Sequence, residues 1–355
     1  EMLRSLVGSE MCIRDRGYAW HTAIGLQAVD GLKTSEYLVH TAVRNIEGEI
    51  SFEEANALLQ SYYEENPARD ADDRTEEADK VSARIAALLS EQAFSFTPNE
   101  YLSIHRKLFT GIYSHAGRIR DYNITKKEWV LDGATVLYGS ATELWATLDY
   151  DFSEEKKFTY KNLSMDEIIR HLAVFVSRLW QIHVFEEGNT RTTAVFFIKY
   201  LRTLGFDVTN DIFAENAWYF RNSLVRANYN DLKNGIHETT EFLDLFLRNL
   251  LLNENHPLHN RTLHIRETFN EMVKPDIEEL KADIEGIFQP KTVSHILKLR
   301  EAFPGQTIFG RSNVMSTIDI KSSRASDLLK ELIDKGIIEP VLGHGKGKYR
   351  FRQKG

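Results

Sequence analysis

The chain has 355 residues, 42% of them hydrophobic, a formal net charge of −8 and one cysteine, enough length and apolar material for two or three globular domains. No run approaches the ~18 apolar residues of a membrane span, and no basic-then-apolar start marks a signal peptide. The lone Cys12 excludes an internal disulfide and a thiolate metal cage, so the expectation is a cytoplasmic protein with no membrane partner.

Charge divides the chain unevenly. Residues 291–355 carry 13 Lys+Arg against 6 Asp+Glu, or +7, which leaves −15 for everything before them. An acidic body with a basic tail points to two different jobs. The 12 histidines are scattered, with no His-x-x-x-His or His-Glu-x-x-His pair, which argues against a histidine-held metal centre.

In chain order, residues 1–16 show neither a helical nor a strand period. The stretch 5–16 resembles translated sequencing-adapter sequence, and residues 1–16 are read as a foreign or disordered segment. Residues 17–100 read as an N-terminal helical region with Leu26, Val29, Leu32, Tyr37 and Leu38 as candidate core. Its acidic run at 64–80, with Pro67, reads as a solvated loop or helix face. A helix is expected after Pro98, with Tyr101, Ile104, Leu108 and Ile112 inward. Residues 127–138 read as two short strands around Asp132-Gly133.

The next stretch organises the rest. Ile168, Ile169, Leu172, Phe175, Val176, Leu179 and Ile182 recur three and four apart, one face of a helix. The segment 194–201 is apolar nearly all round, a central helix. Between them lies His183-Val184-Phe185-Glu186-Glu187-Gly188-Asn189-Thr190-Arg191. Gly188 permits a sharp turn, and the N–H groups from Gly188 through Asn189 and Thr190 to Arg191 become the free donors of a helix N-terminus, an anion cradle. His183, one turn earlier, is placed to take a proton from an attacking hydroxyl. Glu187 is a candidate Mg²⁺ ligand and Arg191 a planar phosphate clamp.

These residues resemble the signature of the Fic family, His-x-Phe-x-(Asp/Glu)-Gly-Asn-(Gly/Lys)-Arg-x-x-Arg. The resemblance implies AMP transfer from ATP to a protein hydroxyl, with His183 as base, Phe185 as core anchor, Glu187 as Mg²⁺ ligand, Gly188 and Asn189 as the phosphate nest and Arg191 as clamp. Two positions depart: Thr190 stands where Gly or Lys is usual, and Ala194 where a second Arg is usual. In the family that Arg meets the γ-phosphate and an inhibitory glutamate. Glu47-Gly48 match the inhibitory motif (Ser/Thr)-x-x-x-Glu-(Gly/Asn), with Val43 in place of the hydroxyl residue, so Glu47 is the inhibitory candidate although its usual partner is Ala194 here.

By the same resemblance, Ala116-Gly117-Arg118-Ile119-Arg120 begins a stretch near the nucleotide, and 127–138 occupies the place of a flap whose edge can pair with an extended target segment. Tyr219 and Asn222, with Asn228 behind them, are the candidate adenosine contacts. Residues 101–255 would be the catalytic core, closed by a helix over 241–252, and 256–290 a helical connector. Residues 291–355 offer three helices and a hairpin whose tip includes Lys346 and Lys348; the pattern resembles a winged helix-turn-helix, with Ser322 capping the third helix.

The expected fold is therefore mainly α: a Fic-type helical bundle with a small β-hairpin flap, followed by a winged helix-turn-helix domain. The expected partners are ATP, Mg²⁺ and a protein Ser, Thr or Tyr hydroxyl, self-modification included, with DNA at 291–355; a homodimer is left open. The alternative is a DNA-binding regulator with a nucleotide-sensing or degenerate Fic core.

Overall fold

A computed structural model of the chain describes residues 2–67, 73–266, 280, 284, 288–303, 307–341 and 347–352. It divides into two compact units, residues 1–230 with 237–264, and residues 231–236 with 265–355.

The first unit is a helical bundle built around one fully enclosed helix. Its helices are α1 (Met2–Gly25), α2 (Glu36–Glu47), α3 (Phe52–Glu65), α4 (Thr75–Ser90), α5 (Pro98–Phe109), α6 (Leu144–Lys157), α7 (Met165–Ile182), α8 (Asn189–Thr203), α9 (Ile212–Arg226), α10 (Glu241–Leu252) and the single turn α11 (Asn260–Leu263). Every residue from Asn189 to Leu201 is buried, and α8 packs on α4, α5 and α7. Phe196 lies edge-on to Tyr101 and Phe152 and is packed by Phe96. Such rings each contribute roughly 1.5–3 kcal/mol by leaving water.

Local chemistry sets the helix starts. Ser164 and Glu167 form a capping box at α7, Ser51 and Glu54 do the same at α3, and Thr97 caps α5 ahead of Pro98; each box satisfies donors that the first turn leaves open. The helices after Pro98 and over 241–252 occur where the periodicity predicts them.

Four expectations are corrected. Residues 2–16 are not irregular: they are the first part of α1. The acidic run does not stay in water: Glu77 and Asp79 of α4 are buried, and Asp79 accepts hydrogen bonds from Ser35 and Tyr63. Residues 127–138 form no strands. A 3-10 turn over Trp129–Leu131 runs into Asp132 and Gly133, both at positive φ, and Glu128 N–H donates to the Ala134 carbonyl at 2.9 Å. Asp132-Gly133 is a turn of the kind that joins hairpins, but the residues leading into it, Trp129–Leu131, coil as a 3-10 turn and so cannot extend into a ladder. Ser322 is inside its helix; the N-cap is Lys321, which makes no side-chain cap bond.

The second unit is assembled from α12 (Pro290–Ala302), β1 (Phe309–Gly310), α13 (Arg311–Ile318), α14 (Ser322–Asp334), β2 (Ile338–Pro340) and β3 (Lys348–Phe351). The antiparallel sheet has the order β1-β3-β2, with Phe309 opposite Tyr349 and Ile338 opposite Phe351. Ile296, Leu299, Val314, Leu328 and Leu332 pack with Phe309 and Phe351 in its core. Lys346 and the rest of 342–346, and most of 267–287, lie outside the described residues. Among the described residues no helix is long and apolar enough to cross a membrane.

A close approach of α1 to α9 sets a sharp test. A Cβ on Gly25 would lie 2.3 Å from the Ala214 carbonyl oxygen, whereas one on Gly17, in the same helix, meets nothing within 4 Å. Gly25→Ala is expected to destabilise the first unit by about 1–3 kcal/mol through overpacking, and Gly17→Ala to stabilise it by about 0.5–1 kcal/mol. Thermal melts in parallel check the opposite signs; equal effects would remove the close crossing.

Candidate functional site

The turn between α7 and α8 is held from several sides. His183 ends α7 in the left-handed region, φ 51°, ψ 55°, a backbone state that costs a non-glycine residue about 1–2 kcal/mol. Arg120 offsets that cost. Its backbone N–H donates to Val184 O, and its guanidinium donates to the His183 carbonyl at 2.8 Å, to Ile182 O and, across the gap, to Gly139 O. Asn189 folds back on the turn, accepting from Phe185 N–H at 3.0 Å and donating to Phe185 O at 2.8 Å. Thr190 accepts the indole N–H of Trp180 at 2.9 Å.

His105 closes the other side. Its ring lies 3.7 Å from that of Phe185, nearly parallel; Nδ1 accepts from Gly117 N–H, and Nε2 donates to the Glu187 carbonyl at 2.9 Å. Burial, helped by nearby cations, pushes this imidazole down to about 3, so it stays a neutral buckle. Gly188 has φ 77°, and a Cβ there would sit 2.4 Å from the Phe109 ring, so glycine is required twice over. The start of α8 carries no side-chain cap, which leaves its first-turn N–H groups without a capping side chain.

His183 is almost fully enclosed, 4% exposed, with Tyr138 tilted over its ring at 4.3 Å. Nδ1 lies 3.3 Å from the Trp180 carbonyl, an acceptor only, so Nδ1 carries the proton and Nε2 keeps its lone pair. Nε2 is buried with no hydrogen-bond partner. Burial first, then the charges of Lys126, Arg221 and Arg120, hold the imidazole well below its ordinary range. A neutral ring with one open acceptor can take a proton from a hydroxyl brought to it.

Glu187 projects from the turn half-exposed, and Lys126 Nζ lies 3.2 Å from one of its oxygens. Among the described residues no group of three His, Cys, Asp or Glu could cage a metal. Magnesium held chiefly by phosphate oxygens and water needs only one or two protein carboxylates. A carboxylate already drawing a cation fits that demand.

Arg191 is placed differently from a waiting clamp. It is fully buried, over the Phe109 ring, with Nε 2.8 Å from Asp30, Nη2 2.7 Å from Glu77 and Nη1 donating to Gln27. Tyr113 OH touches both Arg191 and Glu77. Burial raises the Glu77 carboxyl, but Arg74 and Arg191 outweigh it and the net shift is downward. All of the guanidinium's edges are turned to protein.

The other predicted positions are scattered. Glu47 is exposed at the end of α2, which packs on α1 and α3; it is not brought to the signature. Tyr219 and Asn222 are buried in α9, Asn222 donating to Asn260, and Asn228 donates to Ser177 O. Their neighbours on the other face, Trp218 and Arg221, line a cavity of about 530 Å³ with Asp30 and Gly31. Arg221 also pairs at 2.7 Å with Glu128, which is 1% exposed and accepts from Tyr138 OH. Sequence reasoning passed over Lys126, Arg221, Glu77 and Asp30. Only Arg221 left a local signal, a lone charge in the aromatic run Trp218-Tyr219-Phe220, where burial demands a partner.

Comparison with known proteins comes last. A search of curated proteins finds no match. Among solved structures the chain is similar to a Fic family protein from Desulfovibrio desulfuricans G20, at 13% identity and a TM-score of 0.43, over 96% of this chain and 88% of that one; so distant a likeness carries no argument here. The Fic/DOC family model matches residues 95–201, from the strand of chain before α5 to the end of the enclosed helix. That span contains the whole His183–Arg191 signature together with Arg120, His105 and Lys126. Residues 95–201 of this chain are a domain of the Fic/DOC family.

Proposed function

We propose that the protein transfers AMP from ATP to a hydroxyl side chain of a protein. The observation that carries this reading is the open Nε2 of a neutral His183 beside the uncapped start of α8. The target hydroxyl gives its proton to Nε2; its oxygen forms a bond to the α-phosphorus; the bond from that phosphorus to the bridging oxygen breaks, and pyrophosphate leaves with the electron pair. The N–H groups at Gly188, Asn189 and Thr190 stabilise charge growing on the α-phosphate oxygens. Glu187 would hold Mg²⁺, which supplies neutralisation of the phosphate charge when bound. Tyr138 must swing aside for a hydroxyl to reach the ring, since it covers it at 4.3 Å. Arg191 acts through position: by tying α8 to Asp30 and Glu77 it keeps the cradle's helix in place.

The basic second unit favours a further role. Its helix–strand–helix–helix–hairpin order resembles that of a winged helix-turn-helix, and α14 turns Ser322, Ser323, Arg324, Asp327 and Lys330 to solvent. We read α14 as a helix for the DNA major groove, with Lys348 near phosphate. On this reading the unit delivers the enzyme to DNA-bound targets, or, with a silent catalytic core, makes the chain a DNA-binding regulator.

Incubation with ATP labelled at the α-phosphate should label the protein itself or a protein in a cell extract, and His183→Ala should reduce the rate by at least ~10²-fold while nucleotide still binds. Wild-type rates in that variant would exclude the base. Because the imidazole is held below its ordinary range, the rate should not fall as pH drops through 6.5; an acid limb centred there would mean a solvent-exposed ring. Arg191→Ala should cost roughly 1–3 kcal/mol of stability by removing a buried ion from its network, Glu77 keeping Arg74 and Tyr113, visible as a lowered melting temperature without ATP. For the second unit, Arg324→Ala with Lys330→Ala should weaken DNA binding and flatten its log K against log salt slope by about one unit per lost contact; an unchanged slope would take α14 off the DNA.

A further inference from the structure

The reading above leaves a charge deficit. ATP brings a polyphosphate, yet the signature's remaining guanidinium is consumed inside the bundle by Asp30 and Glu77, and position 194 is a buried alanine. Cations must come from elsewhere in the chain.

Two are poised to supply them. Lys126 comes from the loop after Arg120 and lies on the rim of the turn, its Nζ 3.2 Å from Glu187 Oε2. Arg221 comes from α9 and lines a wide-open hollow of about 530 Å³ with Trp218, Asp30 and Gly31. Its guanidinium lies 5.1 Å from the Trp218 ring centre, which leaves an aromatic edge beside a positive charge. Each pairs with one carboxylate: Lys126 with Glu187, and Arg221 with Glu128. Those carboxylates belong to the turn and to the loop that carries Tyr138. Glu128 accepts from Tyr138 OH at 2.9 Å, and Tyr138 covers His183. One charge pair therefore latches the cover over the base, and the other fills the carboxylate of the turn.

We propose that Lys126 and Arg221 are the phosphate-binding cations of this site, and that polyphosphate binding draws Arg221 from Glu128 and so releases Tyr138 from over His183. The inference rests on the nucleotide-transfer reading and specifies its substrate contacts. Chemistry favours the exchange. A phosphate chain offers an arginine two oxygens and several negative charges in place of one carboxylate. Lys126, freed from Glu187, meets the same anion as a mobile point charge. Glu128, too buried to stay without its cation, travels with its loop into water and carries Tyr138 with it.

The test is binding, which separates it from catalysis. Equilibrium dialysis of the full chain with labelled ATP, in chelator and without added metal, gives an affinity for wild type; adenosine and inorganic tripolyphosphate are run as the two halves of the ligand. Lys126→Met and Arg221→Met should each weaken ATP and tripolyphosphate by roughly tenfold or more, the range of one hydrogen bond to a charged group, and leave adenosine within about twofold. Arg221→Lys should recover part of the loss. Because Arg221→Met strands the buried Glu128, the pair Glu128→Gln with Arg221→Met checks that any loss is not misfolding. Glu128→Gln alone carries the opposite sign: it frees Arg221, so ATP should bind several-fold tighter. Equal ATP affinity in both methionine variants, or weaker binding in Glu128→Gln, overturns the assignment while leaving AMP transfer standing. A wild-type chain that binds neither ATP nor tripolyphosphate overturns both.

Discussion

One buried guanidinium holds the first unit together. Arg191 sits at the first turn of the enclosed helix and ties it to Asp30 before α2, to Glu77 of α4 and, through Tyr113, to the chain after α5. Placing an ion in so apolar a setting costs several kcal/mol unless neighbouring charges and donors compensate it. Two carboxylates and Gln27 do so, and the pieces they come from are far apart in sequence. The compensation therefore fixes the N-terminal helices against α8 in a single arrangement. Any looser packing would leave an unpaired charge inside the bundle. The same constraint explains why the signature's turn can be rigid: α8 cannot rotate about its axis without breaking that network, so the amides at its start stay pointed past His183.

The turn itself solves a second problem, which is to present an imidazole that is dry and neutral yet reachable. Dryness comes from burial under Tyr138 and from Trp180. Neutrality follows from dryness and from the surrounding cations. The tautomer follows from the Trp180 carbonyl, which accepts only. None of these requires a third catalytic residue. Arg120 and His105 act on carbonyls and amides of the turn and never on the reacting ring's open nitrogen, so they shape the site without entering its chemistry.

How much was legible in the sequence follows from how far each feature reaches. The helices α7 and α8 and the turn between them depend on spacing within some forty residues, and the apolar period, Gly188 and the signature all register locally. The start of α5 was equally plain, because Thr97-Pro98 is a cap with its own chemistry. Glu77 was misread because the partner that takes it inside, Arg191, is 114 residues away; within its own window it is one acid beside Arg74, and an acid-rich window normally faces water. The loop at 127–138 was misread for a different reason. Alternating apolar residues and Asp132-Gly133 satisfy a hairpin pattern, yet the strand reading needs a neighbour to complete the ladder, and Tyr138 instead pairs with the buried Glu128 and packs on His183. Glu47 carried a motif half, and its helix packs on α1 and α3, not on the signature.

Electrostatics then separates what the fold needs from what the chemistry uses. Arg191 is paired twice at full burial, and removing its partners would strand a charge; such a group belongs to the fold and is unavailable to a ligand. Lys126 and Arg221 are each paired once at the border of solvent or of a cavity. The Lys126 pair, open to solvent, contributes little to stability, typically under about 1 kcal/mol, and is exchanged for a better anion at low cost; the Arg221 pair is largely buried, so its exchange requires Glu128 to reach water with its loop. The difference in burial, and not the identity of the residues, decides which arginine is structural and which is free to serve. An arginine in a signature is thus no guarantee of a ligand contact: here the fold has taken the one in the motif, and the cations left beside the base lie outside it.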